Sequence, residues 1–137
     1  MIQKSVLLRC SPDEAFQLFT ARVSEWWPHT HRLVKDPSSE MFLEETGRFW
    51  VRASDGREVD LGHVLIWDSP RRLSMDFYIG TNASQATAVE VTFTPEAEGT
   101  RVAIEHRPKP ESEDLWSQRA PVFERSWFAV LDALANR

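Results

Sequence analysis

The sequence predicts an α+β fold in which a curved antiparallel sheet wraps around one long C-terminal helix. Three observations carry that reading. Short alternating segments, separated by turn residues, run from Met41 to Arg107; an apolar stripe at helical spacing runs from Trp116 to Leu134; and 137 residues suit one domain. A chain of this length buries roughly 70% of its unfolded surface as a single unit, whereas half of it would make a poor core. One domain over residues 1–137 is therefore expected.

Ile2–Arg9 places Ile2, Val6 and Leu8 on one alternating face and reads as a strand. Ser11-Pro12-Asp13-Glu14 combines an N-cap serine, proline at the first helical position and glutamate three residues after the cap, which starts a helix through Ala15, Phe16, Leu18 and Phe19. A second short helix is expected from Ala21 to Trp27, with Val23, Trp26 and Trp27 at i, i+3 and i+4, before Pro28 stops it. His29–Glu40 is polar, contains Pro37-Ser38-Ser39, and reads as a loop. Met41–Glu44 and Arg48–Ala53 are strands joined at Thr46-Gly47, and Asp55-Gly56 predicts a two-residue type I′ hairpin. Glu58–Asp68 reads as a long strand that turns at Ser69-Pro70-Arg71 into Leu73–Ile79. After a turn over Gly80–Ser84, Ala88–Thr94 and Arg101–Arg107 complete the strands, joined at Glu98-Gly99. Glu113–Ala135 is helical, with Trp116, Phe123, Trp127, Val130, Leu131 and Leu134 on one face, and Pro121 predicts a kink or a two-part helix. The order is thus β-α-α, a six-strand meander and a terminal helix, the helix-grip arrangement.

Composition limits what the chain does. Sixteen Lys and Arg against twenty-one Asp and Glu leave a net charge of −5, which argues against nucleic acid as a partner. No apolar run approaches the roughly 20 residues of a membrane span, so no membrane insertion is expected, and Met1–Arg9 lacks the apolar core of a signal peptide. Cys10 is the single cysteine, which precludes an internal disulfide and suits a reducing cytoplasm. Six Trp, eight Phe and one Tyr are a heavy aromatic load for one small domain. These rings either fill the core or line a partly hollow one, and sequence alone supports both.

Several spaced motifs resemble a known family. They are Glu25-Trp26-Trp27-Pro28, Gly47-Arg48-Phe49, Asp55-Gly56, Gly62-His63-Val64-Leu65-Ile66-Trp67 with Ser69-Pro70-Arg71-Arg72-Leu73, and Val89–Glu96 followed by Gly99-Thr100-Arg101-Val102. Together they are similar to the SRPBCC (START-like) superfamily, and within it to bacterial relatives of the C-terminal domain of the heat-shock-protein ATPase activator. The similarity extends from Val6 to Leu134. The chain departs from the family pattern at Thr46-Gly47, where a Gly-Gly turn is usual, and at Pro108-Lys109-Pro110, where His-x-Gly commonly ends the last strand. The resemblance implies the helix-grip fold with a cavity between sheet and C-terminal helix.

By alternation, the inward positions are Phe49 and Val51, Leu65 and Trp67, Met75, Phe77 and Ile79, Val91 and Phe93, and Ile104 and His106. The expected ligand-binding set is Trp27, Phe49, Val51, Leu65, Trp67, Met75, Phe77, Phe93, His106, Phe123 and Trp127, with His106, and after it His63, as polar anchors. His29-x-His31 lacks the further ligands that a zinc site needs, so no metal and no other cofactor is expected. Cys10, beside the N-terminus of the first helix, has no general base placed near it by any motif, and no catalytic residue is assigned. Glu44, Glu45, Glu58 and Asp60 read as solvating carboxylates on strand ends.

The expected function is binding of a small hydrophobic or aromatic molecule in the cavity. Two alternatives stand beside it: an enzyme, hydrolase or cyclase, using the same cavity, and a module that stimulates a chaperone ATPase. A homodimer through a sheet-edge strand or through rings near Trp116 or Trp127 is a further expectation.

Overall fold

The computed structural model describes residues 1–137. Seven antiparallel strands form one curled sheet: β1 (Ile2–Leu8), β2 (Glu40–Leu43), β3 (Arg48–Arg52), β4 (Glu58–Asp68), β5 (Arg72–Phe77), β6 (Thr87–Glu96) and β7 (Gly99–Arg107). Their spatial order is β1-β7-β6-β5-β4-β3-β2, so the meander runs unbroken from β2 to β7 and β1 closes the far edge. Helix α1 (Pro12–Phe19) and helix α2 (Glu113–Ala135) complete the helix-grip fold expected from the sequence.

The start of α1 follows from its sequence. Ser11 Oγ accepts a hydrogen bond from the Glu14 backbone N–H at 3.2 Å, Pro12 occupies the first turn, and Asp13 and Glu14 sit at the positive end of the helix dipole. The second helix expected over Ala21–Trp27 is only a 3₁₀ turn, Val23–Glu25. Its rings are held by other bonds: Trp26 Nε1–H donates to the Leu18 carbonyl at 2.7 Å, folding this segment back onto α1. A further 3₁₀ turn, His29–His31, lies inside the expected loop.

Two β-bulges in β4 change which of its residues face inward. Opposite β3, Asp60 pairs with Trp50 and Gly62 with Phe49, leaving Leu61 as the extra residue; opposite β5, Val64 pairs with Met75 and Ile66 with Ser74, leaving Leu65 extra. The inward residues become Val64 and Trp67, three apart, and Leu65 is 57% exposed. The inward placement of Leu65 is therefore corrected. His63 is exposed too, on the outer face between Arg48 and Asp76.

The hairpin at Asp55-Gly56 is also not the expected two-residue turn. Gly56 N–H donates to the Ala53 carbonyl at 2.9 Å and Gly56 alone in the turn has positive φ (+92°), which is a three-residue loop with glycine in its last place.

The concave side of the sheet is filled by rings in contact from end to end. Trp67 meets Phe16 at 5.2 Å between centroids, Phe16 meets Phe93 at 5.1 Å, and Phe93 meets Phe19 at 6.0 Å. Phe19 then leads to Trp27, Trp27 to Trp127 and Trp127 to Phe77. Most pairs are edge-to-face, the arrangement their quadrupoles favour. Helix α2 runs as one element through Pro121, which is exposed. It buries Phe123, Trp127, Val130, Leu131 and Leu134, and no residue before Phe123 is fully buried. A buried side chain of this size stabilises the fold by roughly 1.5–3 kcal/mol, so α2 is anchored by its second half. Trp127 is buried and Trp116 half-buried, and the exposed ring on α2 is Phe128, next to Trp127.

Candidate functional site

Where the ring-filled core meets the middle of α2, packing is incomplete. A cavity of about 280 Å³ lies between the 27–33 segment, the end of β5 and the residues just after it, and α2. Trp27, Phe77, Phe123 and Trp127 make its aromatic wall, Ile79 and Val130 add aliphatic surface, and Leu33 and Val122 stand exposed at its rim. Thr30, His31 and Ser126 are its polar side chains, and no Asp, Glu, Lys or Arg lines it.

Each wall is placed for a local reason. Trp27 Nε1–H donates to the His31 carbonyl at 3.1 Å, which fixes the indole against the turn that follows it. Gly80 has φ of +85°, and a Cβ there would fall 2.5 Å from Phe123 Cε1; the absence of a side chain lets the Phe123 ring approach the chain after β5. Arg32, only 1% exposed, secures the same segment from behind. Its Nε and Nη2 donate to the Trp27 carbonyl at 3.1 and 2.7 Å, Nη2 to the Ser24 carbonyl at 2.7 Å, and Nη1 to the Ser39 carbonyl at 2.8 Å and Ser24 Oγ at 3.4 Å. All five N–H groups are thus used without a carboxylate partner, and burial pulls the guanidinium pKa below its usual value. Leu33, next in sequence, is the one non-glycine residue with positive φ (+66°). This left-handed conformation costs a leucine about 1 kcal/mol or more and brings its side chain to the cavity rim.

His106 stands one layer behind the wall, fully buried among Phe77, Trp116, Phe123 and Trp127. Trp127 Nε1–H donates to His106 Nδ1 at 2.9 Å, so the ring proton is on Nε2, which donates to Thr87 Oγ1 at 2.7 Å. The Thr87 hydroxyl in turn donates to the Phe77 carbonyl at 3.3 Å. Burial first, and the N-terminal charge second, push the imidazole pKa down to about 3. His106 is neutral at pH 7 with both nitrogens engaged by protein, and it does not line the cavity.

Of the expected ligand-binding residues, the cavity brings together Trp27, Phe77, Phe123 and Trp127. Phe49, Val51, Met75 and Phe93 are buried in the packed core, Trp67 lies against Phe16, and Leu65 faces solvent. Sequence reasoning missed Thr30, His31, Leu33, Ile79, Gly80, Val122, Ser126 and Val130 as lining residues. A signal existed for three of them: Val122, Ser126 and Val130 recur every four residues, beside the core stripe of α2.

Other candidate groups are occupied elsewhere. Arg48 pairs with Glu58 at 2.9 Å and Asp60 at 2.8 Å, Glu44 accepts from Trp50 Nε1 at 2.8 Å, and Glu45 is exposed. Burial, then Glu14, raises the Cys10 pKa, the reverse of an activated thiol. No group of three or more His, Cys, Asp or Glu side chains converges to hold a metal ion. No helix is long and apolar enough to cross a membrane. At the changed exit from β7, Lys109 Nζ bonds Asp76 at 2.6 Å, and the Lys109 backbone N–H donates to Ser112 Oγ at 3.0 Å, which sets the start of α2.

The family model described as "Activator of Hsp90 ATPase homolog 1-like protein" matches residues 9–137. No curated protein matches the sequence. Among solved structures, the Q3J4M4_RHOS4 protein of Rhodobacter sphaeroides is similar at TM-score 0.67 and 17% identity, over 97% of this chain and 88% of that one. Protein MLL2253 of Mesorhizobium loti is similar at TM-score 0.59 and 16% identity, over 97% and 95%. Ms6760 of Mycobacterium smegmatis gives 0.61 and 14%, over 98% and 87%. At these identities the likeness is one of fold.

Proposed function

The chain belongs to the Activator of Hsp90 ATPase homolog 1-like family, and from that premise we propose that it binds one small apolar or aromatic molecule in the cavity between β5, the 27–33 segment and α2. The observation that carries this reading is the wall itself. Four rings, four aliphatic side chains and three polar side chains border space that an otherwise interlocked core leaves unfilled. Its volume of about 280 Å³ is close to the lower end of ligand pockets, roughly 300–1,000 Å³. It is nearly twice the roughly 150 Å³ of an apolar cavity known to hold benzene, so one or two fused rings fit.

Two features favour binding over turnover. The wall holds no carboxylate, amine or thiol, so no carboxylate orients its one imidazole, His31, as a base, and the buried imidazole of His106 behind it has no free nitrogen. The same cavity is what supports the receptor reading beside the chaperone-ATPase stimulation that the family's description suggests. Naphthalene titrated into the protein should change Trp emission saturably, through Trp27 and Trp127. Ser126→Trp, which fills the cavity from the helix side, should abolish that change while leaving the melting temperature within a few degrees. Equal response in the variant would place binding elsewhere and defeat the proposal.

A further inference from the structure

The cavity wall is not uniformly satisfied. His31 Nδ1 is taken by Thr30 Oγ1 at 2.8 Å, which leaves His31 Nε2 without a protein partner. Ser126 Oγ, on the opposite wall, makes no hydrogen bond within the protein either. The backbone around His31 is fixed: Trp27 holds the His31 carbonyl and Arg32 holds the carbonyls of Trp27, Ser24 and Ser39. Two hydrogen-bonding side chains from different elements therefore stand beside an apolar hollow.

Resting on the ligand-binding reading above, we infer that the ligand class is a neutral one- or two-ring molecule bearing a hydroxyl or carbonyl, its rings against Trp27, Phe77, Phe123 and Trp127 and its oxygen at His31 Nε2 and Ser126 Oγ. A hydrocarbon would leave both groups without a partner. A carboxylate would enter a partly dry site in which no Lys or Arg offsets its lost hydration. Burial also moves the His31 pKa down from its ordinary value, so at pH 7 and above the ring is uncharged and offers no counter-ion. A neutral hydroxyl, donor and acceptor at once, suits an imidazole nitrogen and a serine together.

Calorimetric titration with naphthalene, 2-naphthol and 2-naphthoate at pH 7.5 separates the possibilities. 2-Naphthol should bind about tenfold more tightly than naphthalene, the worth of one net hydrogen bond. 2-Naphthoate should bind at least about tenfold more weakly than 2-naphthol. The advantage of 2-naphthol over naphthalene should shrink to less than about threefold in both Ser126→Ala and His31→Leu. Equal affinities for 2-naphthol and naphthalene, or tightest binding of 2-naphthoate, would overturn this ligand class and leave the cavity reading standing. If none of the three binds, the cavity reading falls and takes this one with it.

Discussion

Replacing His106 with leucine removes a titratable group from the apolar interior, and its surroundings set the size of the effect. At pH 7 the variant leaves Trp127 Nε1–H without an acceptor, whereas Thr87 keeps the Phe77 carbonyl. One buried orphaned donor and one lost bond should cost about 2–3 kcal/mol. Acid acts in the opposite sense. The folded-state pKa is depressed to about 3 from 6.5, so below pH 6.5 the unfolded chain takes up a proton that the native chain refuses. Wild-type stability is therefore lost as pH falls, until the native ring itself protonates near pH 3. Between pH 7 and pH 5 this single residue should cost the wild type about 2 kcal/mol. His106→Leu does not incur that cost, and the surface carboxylates titrate alike in both proteins. Urea unfolding followed by Trp emission at the two pH values should show the stability gap narrowing by about 2 kcal/mol in acid. A gap that stays constant or widens would refute a neutral, buried His106.

Two further substitutions test the frame around the cavity. Arg32→Met orphans the carbonyls of Ser24 and Ser39 and both bonds to the Trp27 carbonyl, and should cost about 3 kcal/mol in urea unfolding. Arg32→Lys should recover only part of that, because an ammonium lacks the planar fork; full recovery would count against the geometry. On β4, Leu65→Ser should change stability by less than about 0.5 kcal/mol and Val64→Ala should lower it by about 2 kcal/mol. The reverse order would show that the bulge is misplaced.

How far this was legible in the sequence depends on the range of the forces involved. Capping at Ser11, alternation in β5, β6 and β7, and the α2 stripe are local patterns, and those elements fall within a residue or two of expectation. The errors lie where one extra residue or a distant partner decides the outcome. Leu65 went to the wrong face because alternation assumes a strand without bulges, and β4 has two. Asp55-Gly56 became a longer loop because Asp55 does not adopt positive φ. His106 read as a ligand anchor because its partners, Thr87 and Trp127, lie 19 and 21 residues away. Arg32 drew no notice, since an arginine in a polar loop looks solvated until the carbonyls that surround it are known. The aromatic residues serve both readings that composition left open: Phe16, Phe19, Trp26, Phe49 and Phe93 pack the core, and Trp27, Phe77, Phe123 and Trp127 line the cavity.

The two sides of the hollow differ in compliance. The 27–33 side is tied by the guanidinium of Arg32 to three carbonyls and yields only if several bonds break together. The opposing segment, Glu113 to Val122, has no fully buried residue, and Pro121 cannot supply the amide that would close the turn back to Ser117. Local opening concentrates where few contacts and few backbone bonds must be given up. Breathing of the domain is thus directed to the leading half of α2, whose last residue, Val122, flanks the entrance, while the sheet and the trailing half of the helix stay closed.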